Sequence, residues 1–277
     1  MKQRETKLTD VKPVCLEDWR NIHEYRKQGW IFRGLSDSSL ALETALERNG
    51  WIKDGGIGNL KTREETLLRE FQRRYSHYSQ HVPPLNDTLE WLSIMQHHGA
   101  PTRLLDWSYS IYVAAYFALE EAEDDCAVWA MNTEWLFKEL ENLFEDNSRK
   151  QFLTKPIQDI DEHRSLFDDL FIRNARKLSF IASFAPFRMN ERLTIQKGTF
   201  VVPSDLSKGF EDNLSAMTGH DDSNNLKKIL IPKSQRKLAI ESLFYMNISR
   251  ATLFPGLDGF SSSLVIYHPT LDAVRTS

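Results

Sequence analysis

The stretch Gln96-His97-His98-Gly99-Ala100-Pro101-Thr102-Arg103-Leu104-Leu105-Asp106-Trp107-Ser108 runs into the apolar Ile111-Tyr112-Val113-Ala114-Ala115-Tyr116-Phe117-Ala118-Leu119. This juxtaposition limits what the chain can fold into more than any other feature. Amide, imidazole, guanidinium, carboxylate, indole and hydroxyl groups crowd against a run that must be buried. They are therefore expected on rigid structure at the rim of a core, as in most polar sites. Gly99 is placed to end a helix over residues 89–97, and Pro101 keeps Ala100 out of the helical region. Leu104-Leu105-Asp106-Trp107 reads as a strand. Ser108 or Ser110 is the expected N-cap of the apolar helix that follows.

The flanking sequence predicts an α+β chain with strands early, in the middle and late. Residues 16–25 show helical spacing of Leu16, Trp19, Ile22 and His23. Trp30-Ile31-Phe32-Arg33 is a short strand halted by Gly34, and residues 49–58, rich in glycine, form a loop. A helix over 62–78 carries Leu67, Phe71, Tyr75 and Tyr78 on one stripe, with Glu65–Arg69 and Glu70–Arg74 pairs four residues apart. Residues 127–131 form a strand. Two amphipathic helices over 135–144 and 160–174 suggest a helical insertion at about 132–176. Leu193-Thr194-Ile195 and residues 199–202 read as strands around a Lys197-Gly198 turn. A strand over 228–232 and a helix over 235–244 follow. The expected organisation is a frayed N-terminus to residue 15 and one domain from 16 to 277.

Charge and apolar content exclude several classes of protein. A net charge of −4 gives no general attraction to nucleic acid or anionic membrane. The clusters Arg69/Arg73/Arg74 and Lys227/Lys228/Lys233/Arg236/Lys237 therefore read as solvated faces. No apolar run approaches the roughly 20 residues that span a bilayer. Residues 1–7 are polar and lack the apolar core of a secretory signal. Cys15 and Cys126 stand far apart, as expected of isolated thiols in a reducing cytoplasm.

Arg33, at the end of an apolar strand and next to glycine, offers a cationic fork beside approachable backbone, suited to phosphate or carboxylate. A structural pair with Asp106 or Glu43 is the competing reading. Arg103 and Asp106, three apart on extended chain, face opposite sides and need partners from elsewhere. His97 and His98, or His77 and His81, have no further ligand at a recognisable metal-binding spacing. No nucleophile elbow, phosphate loop or dinucleotide fingerprint is present.

These residues resemble the FRG domain family, named for the Phe-Arg-Gly that stands here as Phe32-Arg33-Gly34. The likeness extends through residues 65–74, Gln96-His97-x-Gly99-x-Pro101-Thr102-Arg103-Leu104-Leu105-Asp106-Trp107 and Ala114-x-x-Phe117-Ala118. It continues to Arg192-x-x-x-Gln196-x-Gly198-x-Phe200 and Leu253-Phe254-Pro255-x-Leu257-Asp258. More distantly, the order of elements resembles ADP-ribosyltransferases of the Arg-Ser-Glu class, which implies a mixed β core with flanking helices that binds NAD. On that resemblance Arg33, Gly34, His97, Arg103 and Ser108 would hold NAD or a related nucleotide. Asp106, Glu191 and Gln196 would be the catalytic candidates. A late-strand glutamate is expected near Arg192. Glu191 is adjacent but on the opposite face of a strand, with Gln196 as the alternative polar group. The resemblance implies transfer of ADP-ribose to a macromolecular acceptor or to water, no metal, and a setting among toxins and phage-defence effectors. The other reading is a non-catalytic interaction module, working through a partner protein, whose Arg/His/Asp cluster is structural.

Overall fold

The computed structural model describes residues 5–53, 60–144 and 160–264. Its centre is a seven-stranded mixed sheet in the order β1-β7-β4-β2-β3-β6-β5. The strands are β1 (Val14–Cys15), β2 (Trp30–Leu35), β3 (Leu105–Ser108), β4 (Cys126–Asn132), β5 (Ile181–Phe184), β6 (Gly198–Pro203) and β7 (Leu226–Ile231). β1 runs parallel to β7, and every other neighbouring pair is antiparallel.

The helices are α1 (Ala45–Lys53), α2 (Leu60–Tyr75), α3 (Thr88–His97), α4 (Ile111–Leu119), α5 (Thr133–Leu143), α6 (Ile160–Phe167), α7 (Glu191–Ile195), α8 (Phe210–Ser215), α9 (Arg236–Tyr245), α10 (Arg250–Leu253) and α11 (Leu257–Ser263). They cover both faces of the sheet. On one face Ile31, Leu105, Trp107, Trp129 and Met131 pack with Leu92 and Met95 of α3, Leu136 and Leu140 of α5, and Phe167 of α6. On the other, Phe32, Val128, Ala130 and Ile229 pack with Ile111, Ala114, Ala115 and Ala118 of α4 and with Ala239 and Leu243 of α9. α4 is apolar almost all round because it is buried almost all round.

The sheet has a weak seam. β2 and β4 pair at six consecutive positions and β3 and β6 at four. β2 and β3 pair at one, Phe32 with Ser108. Two half-sheets, β1-β7-β4-β2 and β3-β6-β5, thus meet at a single rung and diverge beyond it.

Gly34 lies beside the seam for a packing reason. A Cβ there would stand 2.0 Å from the Ala114 carbonyl oxygen and 2.5 Å from the Ala118 nitrogen. Its lack of a side chain lets α4 lie directly on β2. Gly99, at φ +80°, supplies the left-handed residue that ends the α3 region. Ser110 is the N-cap of α4 and accepts from the Val113 amide.

Several expectations are corrected. Residues 49–53, expected in a loop, complete α1, while 54–58 lie outside the described residues. The helix over 16–25 is a 3-10 helix from Trp19 to Tyr25, capped by Asp18. Leu193-Thr194-Ile195 is helical, because the Asn190 side chain caps α7 by accepting from the Leu193 amide. Tyr78 lies beyond α2 and is exposed. The N-terminal segment does not fray from Glu5 onward: Leu8 and Val11 are buried, and Glu211 binds Thr6 and the Lys7 amide. The basic cluster at 227–237 is partly interior. Lys228 is buried over the Trp129 ring, and Arg236 donates to the Leu119 and Glu120 carbonyls. The middle of the expected insertion and the chain after Leu264 lie outside the described residues.

Candidate functional site

A cleft of about 210 Å³ opens where β2 and β3 diverge, walled by Arg33 and Gly34 of β2, Asp106 and Ser108 of β3, Phe117 of α4, and Arg192. A smaller compartment of about 60 Å³ adjoins it. Asp106, Arg192 and Gln196 line both. Gln96, His97 and Asn190 line the smaller one alone.

Arg33 reaches across the seam. Its Nη1 donates to the Asp106 carbonyl at 2.6 Å, where main-chain pairing has lapsed. Its Nε is buried without a hydrogen-bond partner among the described residues. Burial pushes the guanidinium pKa down to about 10, against the opposing pull of Asp106, and Arg48 lowers it further. The Asp106 side chain is exposed and makes no hydrogen bond among the described residues, so the expected side-chain pair with Arg33 is replaced by a bond to the backbone.

Arg192 is the group that sequence reasoning left out of the site. It projects from α7; its side chain makes no hydrogen bond or ion pair among the described residues and stacks with Cζ 4.4 Å from the Phe254 ring centroid. Burial holds its pKa below the usual arginine value, Asp106 opposes that, and Arg250 adds to it. Phe254 also stacks on Arg250, which is anchored to Glu120 at 2.7 Å; Tyr116 donates to the same carboxylate oxygen. Gln196, which lines the cleft, donates through Nε2 to the Leu253 carbonyl at 3.0 Å, and its Oε1 accepts no hydrogen bond among the described residues. The signal for Arg192 was its four-residue spacing from Gln196, which puts the two on one face in a strand or a helix alike.

The remaining expected residues divide. His97 sits exposed on the rim of the smaller compartment, its pKa lowered by partial burial and by the His98 and Arg192 charges. The Ser108 hydroxyl is engaged within the protein: it donates to the Gln196 carbonyl at 2.7 Å and accepts from the Ser110 amide at 3.0 Å. Arg103 lies outside the cleft. It is 1% exposed and forms a forked pair with Glu64 of α2, Nε lying 2.8 and 3.0 Å from the two carboxylate oxygens. Its Nη2 donates to Glu64 as well, and its Nη1 donates to the Phe171 carbonyl at 2.6 Å. Glu191 is exposed in the first turn of α7 and lines neither compartment. Asp106 is the carboxylate on the walls of both.

The fold and site define a helix-covered mixed sheet with a cationic cleft at its seam. Residues 28–126 match the family model of the FRG domain. The matched segment holds β2, the Gln96–Ser108 stretch and α4, and so supplies one side of the cleft. Arg192, Gln196 and Phe254 lie beyond it. No curated protein and no solved structure matches the chain. Among the described residues no helix is long and apolar enough to cross a membrane.

Proposed function

We propose that the seam cleft binds NAD or a related nucleotide through its phosphates. The observation that carries this reading is two guanidiniums, Arg33 and Arg192, facing one carboxylate, Asp106, in one cleft, with no ion pair formed by either arginine among the described residues and Arg33 Nε buried and unpaired. A buried cation whose charge is not neutralised favours an incoming anion, and guanidinium donors match phosphate oxygens in geometry. Phe117 gives the cleft an apolar surface for a base or a nicotinamide ring, and Gln196 Oε1 accepts from a hydroxyl.

The reading extends to an ADP-ribosyltransferase-like or NAD glycohydrolase activity, with Asp106 as the carboxylate that stabilises positive charge on the ribose as the N-glycosidic bond breaks. The acceptor is then a macromolecule or water, and a cytoplasmic toxin or phage-defence effector is the matching setting. A non-catalytic binding module is the second reading. The engaged Ser108 hydroxyl and the Arg103–Glu64 pair favour it, since part of the expected cluster serves the fold.

Isothermal titration with NAD, followed by an assay for released nicotinamide, separates the two. Micromolar binding that weakens at least tenfold in Arg192→Ala is the expected result. Release of nicotinamide, abolished in Asp106→Asn, supports the enzyme, whereas binding without release supports the module. No binding by folded protein overturns the nucleotide reading. Arg33→Ala is read together with its melting temperature, because Arg33 also bridges the seam.

A further inference from the structure

Two amide side chains on the smaller compartment, Gln96 and Asn190, have their carbonyl oxygens engaged within the protein. Gln96 Oε1 accepts from the Thr102 hydroxyl, and that hydroxyl accepts from the Leu104 amide. Asn190 Oδ1 accepts from the Leu193 amide at 2.8 Å as the cap of α7. Each amide has its carbonyl oxygen engaged once within the protein and its NH2 group free to donate to a ligand. Arg192 adds a guanidinium with no hydrogen bond among the described residues, and His97 adds an imidazole at the rim. At the wall shared with the main cleft, the Asp106 carboxylate and Gln196 Oε1 are acceptors.

We propose that this compartment is a phosphomonoester subsite, and that the cleft takes a nucleotide whose ribose carries a phosphate in addition to the diphosphate. The inference rests on the nucleotide reading given above and narrows its ligand class. Away from the shared wall the pocket offers the Arg192 guanidinium and two amide NH2 groups, which suit an acceptor-only group, and a phosphomonoester is the commonest such group on a ribose. The acceptor pair at the shared wall suits the ribose hydroxyl next to it. Arg192 stands between the two compartments and touches both, so one guanidinium serves the diphosphate side and the phosphomonoester side.

The test compares titrations with NADP and NAD, which differ only by a ribose phosphate. NADP is expected to bind at least tenfold tighter, about the factor one charged hydrogen bond contributes. Gln96→Glu and Asn190→Asp keep the Thr102 contact and the α7 cap while replacing an NH2 donor with carboxylate oxygen. Each is expected to reduce the NADP-to-NAD ratio at least tenfold at an unchanged melting temperature. Equal affinity for NADP and NAD in the native protein, or a ratio unmoved in both variants, overturns the subsite while the nucleotide reading stands. Binding of neither nucleotide overturns both.

Discussion

Arg103 and Arg33 show how far residue type alone can mislead. Both lie near the same polar stretch, yet one is sealed against Glu64 and the other faces a cleft. Burying a guanidinium with a forked carboxylate is tolerable only while both partners remain. Glu64→Ala is therefore expected to lower stability by about 3–5 kcal/mol in urea unfolding. Replacing both members with apolar residues of similar size should recover most of that loss. A drop under about 1 kcal/mol for the single change would mean the pair is dispensable. Arg103 required a partner in the sequence, but Glu64 was hidden. It sits thirty-nine positions earlier on the inward face of α2, four residues after Leu60 and three before Leu67, where the stripe would otherwise be apolar. Spacing within one element carries no information about a partner on another.

At the scale of the element, β2 and α4 were legible as short apolar runs, although β2 does not halt at Gly34 but continues through it to Leu35, paired with Val128 and Ala127 of β4. α7 was not. Leu193-Thr194-Ile195 has the β-branched content of a strand, and what makes it helical is one side chain outside the run, the Asn190 cap. That change of local geometry moves Glu191 to solvent and Arg192 into the cleft. β1 and β5, of two and four residues, are too short to show a period and exist because longer neighbours offer them an edge. The pairing of β2 with α4 gives a sharp prediction at Gly34. The atoms a methyl group would meet are backbone atoms of α4, which cannot move aside as a side chain would. Gly34→Ala is expected to destabilise by about 3 kcal/mol, the upper end of ordinary overpacking. A melting temperature within 1 °C or so of the native value would show that α4 yields at little cost.

For the whole molecule, two histidines couple stability to acidity in one direction. Burial holds the pKa of His97 and of His163 below the ordinary value of 6.5. The unfolded chain then takes up protons near pH 6.5 that the folded chain refuses. Their contribution is fully present above that pH and is lost as the pH falls toward the lowered folded values. The urea midpoint is expected to fall between pH 7 and 5.5, and the His97→Gln/His163→Gln double variant should flatten that slope. An unchanged slope in the double variant would assign the acid sensitivity to other groups.

The seam between β2 and β3 also sets how the molecule holds together. A continuous ladder spreads strain over every rung, but two leaves joined by one rung and an arginine side chain concentrate it along a single line. Under the proposed nucleotide reading, a ligand held there by Arg33 on one side and Arg192 on the other would act as a clasp across the crease. The closure of the cleft and the cohesion of the sheet then become the same quantity, and a filled site is also a stiffer protein.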